Sequence, residues 1–218
     1  MDVVVREARE SELAEIGAVT AEIYEGMVSP EYLEVLRDAR SRWEAPATTQ
    51  LVAFDDGMDD GTDDGADGTE DADGAVEADS ADGLLGVAVL AAPGSPWQDI
   101  AADGGEAEIR MLGVRETARG RGVGEALVHT CVALARAAGA VRIVLSTEPE
   151  MTDAQRLYAR LGFARVPERD WEPRPGLALL AYALEVPEAA GAQSAGPGPN
   201  ASGSEAPESE APEVEVSE

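Results

Sequence analysis

The sequence contains no lysine, one cysteine and one histidine, and aromatic residues make up only 4% of its 218 residues. With a single cysteine, Cys131, no intrachain disulfide can form. No run of about 18 apolar residues is present, so we expect no membrane-spanning helix. The N-terminus lacks the basic region and long apolar stretch of a secretory signal. These absences together predict a cytoplasmic protein.

The scarcity of histidine and cysteine also limits the chemistry. His129 falls off the apolar face of its predicted helix, so we expect it in solvent, whereas Cys131 lies on that face and is expected in the core. No His, Cys and Asp residues have the spacing of a metal site, so we predict no bound metal. The absence of lysine rules out the nucleotide-binding pattern Gly-x-x-x-x-Gly-Lys-Ser/Thr.

The net charge of −28 is distributed unevenly. Of the 44 acidic residues, 13 lie in segment 55–82 and seven in segment 187–218, and neither segment has a basic residue. The remainder, with 24 acidic and 16 basic residues, is only moderately acidic. A chain this acidic should repel nucleic acid and anionic membranes, so we expect neither as a partner, while a cationic partner is permitted.

The same two segments set the domain boundaries. Segment 55–82 is a low-complexity run of Asp, Gly, Ala and Thr, and segment 187–218 is rich in Pro, Ala, Gly, Ser and Glu. Neither can bury enough apolar surface to offset the entropy lost on ordering. We therefore predict one domain over residues 1–186, with a disordered acidic loop at 55–82 and a disordered tail at 187–218.

Hydrophobic periodicity predicts a mixed α/β fold. The predicted strands are 3–6, 50–54, 84–91, 106–114, 141–146, 163–166 and 177–184, and the predicted helical stretches are 13–27 (with Ser11 as N-cap), 30–43, 122–138 and 153–161. Strands 106–114 and 141–146 are joined by one crossover helix, so they should be parallel neighbours. The rest of the sheet should be mostly antiparallel.

The segment Arg119–Gly124, which reads Arg-Gly-Arg-Gly-Val-Gly, lies where a strand turns into a helix. Its three glycines allow close backbone approach to a ligand, and successive N–H groups of such a turn converge on an anion. The following helix adds its unpaired N-terminal donors, and Arg119 and Arg121 add positive charge. The pattern therefore predicts a pyrophosphate site. It differs from the dinucleotide pattern Gly-x-Gly-x-x-Gly, whose third glycine would fall at Glu125.

Two motifs resemble those of the GNAT acetyltransferase superfamily. Arg119-x-x-Gly122-x-Gly124 is similar to the family's Arg/Gln-x-x-Gly-x-Gly/Ala signature, and the stretch 154–163 is similar to its later helix-and-strand motif. The resemblance implies a central, mostly antiparallel twisted sheet with a parallel pair splayed at strands 4 and 5, and helices on both faces. It also implies acetyl-CoA as co-substrate and transfer of the acetyl group to a primary amine of a small molecule or protein by direct attack on the thioester.

The resemblance assigns cofactor contacts to particular residues. It places the pantetheine arm along the strand backbone at Leu112, Gly113 and Val114, and Ala154 near the cofactor. Met151 stands where many family members have a cofactor-contacting asparagine. The main-chain amides that would bind the pyrophosphate are those of Arg119, Gly120, Arg121, Gly122, Val123 and Gly124.

Three residues are catalytic candidates. The resemblance implies that Tyr158 is the acid that protonates the departing thiolate, with a core aromatic as the alternative. Glu106 and Glu108 lie two apart on a strand and share a face, so either could activate the amine through water. The alternative for both is a solvated sheet edge or a salt bridge to arginine. Trp171 and the region 23–32 either line the acceptor pocket or pack at the surface.

Two other functions remain open from the sequence. One is a non-catalytic acyl-CoA-binding sensor on the same fold, and the other is an interaction protein that works through its acidic segments. Because members of the family are often dimers, the resemblance also leaves a homodimer open.

Overall fold

The computed structural model describes residues 3–55, 83–102 and 104–186. The acidic loop beyond Asp55 and the tail 187–218 lie outside these residues, so their disorder stays a prediction. Within the described ranges, no helix has the length and apolarity needed to cross a bilayer.

A seven-stranded sheet forms the centre of the fold, in the order β1-β2-β3-β4-β5-β7-β6. Only β4 and β5 pair in parallel, and the other neighbours are antiparallel. The predicted mixed sheet with its parallel pair is therefore confirmed. The strands are β1 (Val3–Glu7), β2 (Thr48–Asp55), β3 (Leu84–Ala91), β4 (Glu106–Val114), β5 (Arg142–Thr147), β6 (Ala164–Arg165) and β7 (Leu180–Glu185).

Helices cover both faces of this sheet, as the resemblance implied. Along β2, Leu51 and Ala53 belong to the core cluster that contains the buried side chains of α4, whereas Val52 belongs to the cluster formed with α1. Successive strand residues point to opposite faces, so α4 and α1 lie on opposite sides. The helices are α1 (Leu13–Tyr24), α2 (Pro30–Arg37), α3 (Ala39–Glu44), α4 (Val123–Ala137) and α5 (Thr152–Arg160).

Local hydrogen bonds moved several helix boundaries from their predicted places. Ser11 is not the N-cap of α1, because a short 3₁₀ turn at Glu10–Glu12 precedes the helix. The predicted stretch 30–43 breaks at Asp38, whose carboxylate accepts the N–H of Ser41 at 3.0 Å and caps α3. The break at Asp38 arises because its side chain satisfies a backbone donor and so starts a new helix.

The two residues that the sequence placed away from the chemistry lie as expected. The side chain of His129 is 66% exposed and lies 3.9 Å from Glu125. Cys131 is fully buried, and burial raises the pKa of its thiol to about 12. The thiol therefore stays protonated and packs as a core side chain.

Candidate active site

The opening between β4 and β5 begins where their pairing ends. The two strands pair from Glu106 opposite Arg142 to Ile109 opposite Leu145, yet β4 continues for five residues to Val114. The predicted splay of strands 4 and 5 is therefore confirmed.

A bulge in β4 lies beside this opening. Val87 pairs with Gly113 and Val89 with Arg110, so three steps along β4 oppose two along β3. Met111 takes up the additional residue with a φ of 50°. A bulge bends its strand and redirects the groups beside it, which here lie next to the separating strands.

A cavity of about 1050 Å³ occupies the opening. Its walls come from β4, the loop into α4, the segment between β5 and α5, the facing sides of α1 and α2, and the segment before β7. The structure brings most of the predicted site residues together in this lining: Glu108, Leu112, Gly113, Val114, Arg119, Gly120, Gly122, Val123, Gly124, Ala154 and Tyr158. Glu106 and Arg121 lie outside it.

Backbone conformation explains two glycines of the loop before α4. Gly120 and Gly122 have φ values of 74° and 85°, and Gly122 is the residue that caps α4. A Cβ on either would meet no atom within 4 Å, so the φ angle and not crowding requires glycine. The first intrahelical bond runs from the Ala126 N–H to the Gly122 carbonyl. The preceding N–H groups of α4 are therefore available to an anion in the cavity.

The two arginines of the loop have different positions. Arg119 lines the cavity, whereas the Arg121 guanidinium pairs with Asp55 at the end of β2. Positive charge in the cavity at this loop therefore comes from Arg119.

The exposed edge of β4 offers main-chain groups to the cavity. The Arg115 N–H donates to the Leu85 carbonyl on the β3 side at 2.9 Å. Backbone groups of consecutive extended residues alternate in direction, so those of Val114 point into the opening. The Leu112 carbonyl also points there and accepts a hydrogen bond from the Tyr24 hydroxyl at 3.0 Å. Tyr24 lies in the region 23–32, but helical periodicity alone did not single it out.

Tyr158 lies in the core and also on the cavity wall. It is 5% exposed, and its ring centroid lies 5.8 Å from that of Phe163 and 6.0 Å from that of Tyr182, so the ring belongs to the core. It also lines the cavity. Burial, with smaller contributions from Cys131 and Tyr182, raises the pKa of Tyr158, so its hydroxyl is a neutral donor.

Glu108 holds the segment that precedes β4. Its Oε2 atom accepts the backbone N–H groups of Asp99, Ile100 and Ala101 at 2.8, 2.9 and 3.2 Å. Burial raises the pKa of Glu108, against the opposing effects of Arg110 and of these N–H groups. Glu108 is one of the cavity-lining residues, but one of its carboxylate oxygens already holds the segment 99–101 in place.

Glu106 forms a salt bridge to arginine, which was one of the alternatives to its role as a base. Arg169 binds both carboxylate oxygens at 3.0 and 2.7 Å, Arg142 lies at 3.3 Å, and the Ala102 N–H donates at 2.7 Å. Desolvation raises the pKa of Glu106, but the bonds from Arg169, Ala102 and Arg142 together outweigh it and lower the pKa. A carboxylate with four donors, outside the cavity lining, is a structural group.

The other end of the cavity contains residues that the sequence did not single out. Glu148 and Glu150 follow β5, and Arg174 precedes β7. The position of Glu148 and Glu150 beyond the carboxyl end of a parallel strand could have identified them, because ligand-binding residues of open α/β sheets gather there. Trp171 also lines this end, as do Ile23, Tyr24, Met27, Val28 and Tyr32 from the region 23–32.

Comparisons with known proteins agree with this geometry. The model of the acetyltransferase (GNAT) family matches residues 22–163, and no curated protein matches the chain significantly. The structure is similar to that of a GNAT-family acetyltransferase from Staphylococcus aureus Mu50, with a TM-score of 0.59, 12% identity, and coverage of 85% of this chain and 100% of that one.

Two further solved structures share the fold. A GCN5-related N-acetyltransferase from Kribbella flavida is 25% identical with a TM-score of 0.52, and the alignment covers 84% of this chain and 97% of that one. Arabidopsis thaliana NAA60, solved in complex with acetyl-CoA, is 18% identical with a TM-score of 0.56, and the corresponding shares are 85% and 99%. The family match over most of the chain, the splayed strands and the glycine loop at the start of α4 together show that this chain belongs to the GNAT family of acetyltransferases.

Proposed function

We propose that this protein is an acetyl-CoA-dependent N-acetyltransferase that transfers the acetyl group to a primary amine by direct attack on the thioester. The observation that carries the proposal is one cavity that joins the separated edge of β4 to the glycine loop before α4. Family membership supports acetyl transfer, and the acetyl-CoA in the NAA60 structure supports the cofactor.

The residues present fit acetyl-CoA. Its diphosphate would contact the amides from Arg119 to Gly124, where α4 presents unpaired N–H groups and Arg119 adds a positive charge. Its pantetheine arm would pair with the main-chain groups of Val114 and Leu112 as an added strand. The open space outside Gly120 and Gly122 leaves room for the phosphates.

Acetyl transfer then needs a neutral amine and a stabilised leaving group. The nitrogen lone pair forms the new C–N bond as the C–S bond breaks and the electron pair stays on sulfur. A thiol has a pKa of about 8.5, so its thiolate leaves without strong acid catalysis. Because burial raises the pKa of Tyr158, we assign to its hydroxyl the donation of a hydrogen bond to the thiolate.

Substitution of Gly122 tests the diphosphate site. Gly122→Ala puts a side chain on a residue with positive φ and displaces the amides that face the anion, so acetyl-CoA affinity measured by calorimetry should fall about 10- to 100-fold. Gly139→Ala is the matched control. It has a φ of 78°, also meets no atom within 4 Å, and lies beyond the other end of α4 and outside the cavity lining. Both variants should lose about 1 kcal/mol of stability, and equal losses of affinity would refute the assignment.

Substitution of Tyr158 separates catalysis from binding. Tyr158→Phe keeps the ring contacts with Phe163 and Tyr182 and should lower the rate of thiol release about 100-fold while acetyl-CoA affinity changes little. Tyr182→Phe, on the neighbouring ring and outside the cavity lining, should leave the rate within about threefold. If the wild-type protein binds acetyl-CoA but releases no thiol with any amine, the sensor replaces the enzyme as the proposal.

A further inference from the structure

Among the residues that the structure describes, six acidic residues line the cavity, and four of them already have partners. Asp99 pairs with Arg110 at 2.6 Å, Glu125 with Arg160 at 3.1 Å, and Asp153 with Arg156 at 2.8 Å, while Glu108 binds three backbone N–H groups. The remaining two are Glu148 and Glu150. Within the part of the chain that the structure describes, no arginine nitrogen lies within 4 Å of their carboxylate oxygens.

Glu148 lies where the reaction would take place. It directly follows Thr147, the last residue of β5, on the wall that faces the separated edge of β4. The side-chain amide of Gln155 donates to the carbonyls of Glu148 and Pro149 at 3.1 and 2.8 Å, which fixes the segment between β5 and α5. The backbone that carries the half-buried Glu148 side chain is therefore anchored at this wall of the cavity.

Tyr24 connects the end of the cavity that contains Glu148 to β4, along which the pantetheine arm would lie. Its hydroxyl donates to the Leu112 carbonyl, beside the place proposed for the thioester. Burial raises the pKa of Tyr24, and the charge of Glu148 and the neighbouring Tyr158 add to that effect. Glu148, Tyr24 and Tyr158 thus share one end of the cavity.

On the basis of the proposed function, we infer that Glu148 binds the ammonium group of the acceptor and accepts its proton, which makes the acceptor a primary amine that is cationic in solution. One ammonium proton passes to the Glu148 carboxylate, and the neutral nitrogen attacks the thioester carbon. As the C–S bond breaks, the second proton lost by nitrogen passes through water to the thiolate, so the products are the amide, CoA and one proton released from Glu148.

The surroundings of Glu148 suit both tasks. Desolvation and the nearby negative charge of Glu150 raise the pKa of Glu148 and outweigh the opposing effect of Arg174. The Glu148 carboxylate is therefore a stronger base than that of an ordinary glutamate. Glu150 is exposed at the cavity mouth and attracts the same cation. The titratable and charged groups facing this end are Tyr24 from α1, Tyr32 from α2, Glu108 and Arg110 from β4, Asp99 from the segment before β4, Glu150 from the same loop, Tyr158 from α5 and Arg174 from the segment before β7.

The test compares Glu148→Gln with Glu150→Gln in the full chain. Acetyl-CoA affinity is measured by calorimetry, and kcat/KM is followed as a function of pH by thiol release with butylamine, 1,5-diaminopentane and a lysine-containing peptide. Glu148→Gln should lower kcat/KM about 100-fold or more and remove the acid limb of the pH profile, with acetyl-CoA affinity within twofold of wild type. Glu150→Gln should lower kcat/KM less than tenfold and shift the acid limb to lower pH, because Glu148 loses a neighbouring negative charge.

The outcomes separate this inference from the proposed function. A wild-type protein that binds no acetyl-CoA, or that acetylates none of these amines, refutes the proposed function. A wild-type enzyme that acetylates an amine, with Glu148→Gln within threefold of it or with the acid limb preserved, refutes the role of Glu148 and leaves the proposed function standing.

Discussion

Arg42 offers the sharpest test of the packing behind the cavity. This arginine of α3 is 0% exposed, and no carboxylate binds it in the described part of the chain. Its guanidinium donates to the carbonyls of Val35 and Leu36 at 2.7 and 2.9 Å and to the Gln50 side chain at 3.1 Å. Burial lowers the pKa of Arg42 to about 10, so it stays charged at neutral pH. The charge therefore secures the end of α2, which forms part of the cavity wall.

Arg42→Met removes these bonds and keeps the apolar stem. Three hydrogen bonds from a charged donor, at about 1.5 kcal/mol each, represent roughly 4 to 5 kcal/mol. Relief of the buried charge and burial of the methionine side chain return about 1 to 2 kcal/mol. We expect a net loss of about 3 kcal/mol in the free energy of unfolding, and a melting temperature lower by about 6 to 12 °C for a domain of this size.

Urea unfolding followed by tryptophan fluorescence and circular dichroism measures this loss. Arg40→Met is the matched control on the same helix. The Arg40 side chain is 53% exposed and pairs with Glu10 and Glu44 at 2.9 and 3.5 Å, and such solvent-screened pairs contribute little to stability. A loss for Arg42→Met as small as that for Arg40→Met would refute the reasoning.

Two further substitutions test the site and its support. Glu106→Gln removes a carboxylate whose pKa is lowered in the folded protein. Ionised Glu106 therefore stabilises the fold above pH 4.5, and this stabilisation is lost as pH falls through the folded-state pKa. The variant should be less stable than wild type at pH 7, and its stability should decline less in acid; identical urea midpoints of the two proteins across pH would contradict this. Gly113→Ala would place a Cβ 2.7 Å from Cγ2 of Ile23 and push that side chain within the cavity, so acetyl-CoA affinity should fall about tenfold. Adding Ile23→Ala should restore affinity in calorimetry, and purely additive effects would exclude this contact.

Sequence pattern predicted the elements better than their edges. The bounds of β3 and β4 agree with the prediction, because an apolar run and a period-two pattern each end at turn residues. The predicted final strand 177–184 instead starts at Leu180, because Leu179 forms an isolated bridge with Trp171 on a neighbouring segment. That contact joins two residues that are eight positions apart, across a turn, and hydrophobic periodicity cannot predict such a pairing.

Sequence alone determined the glycine loop, the strand before it and the helix after it, and with them the family. These are local features, since positive φ angles and unpaired helix N–H groups depend on a few consecutive residues. The tertiary structure decided which carboxylates face the cavity. Glu106 and Glu108 lie two apart on one strand, but Arg169 and the segment 99–101, brought in from elsewhere, occupy them. Glu148 lines the cavity because β4 and β5 separate beyond Ile109 and Leu145. The environment of a carboxylate depends on such neighbours in space and not on its position in the sequence.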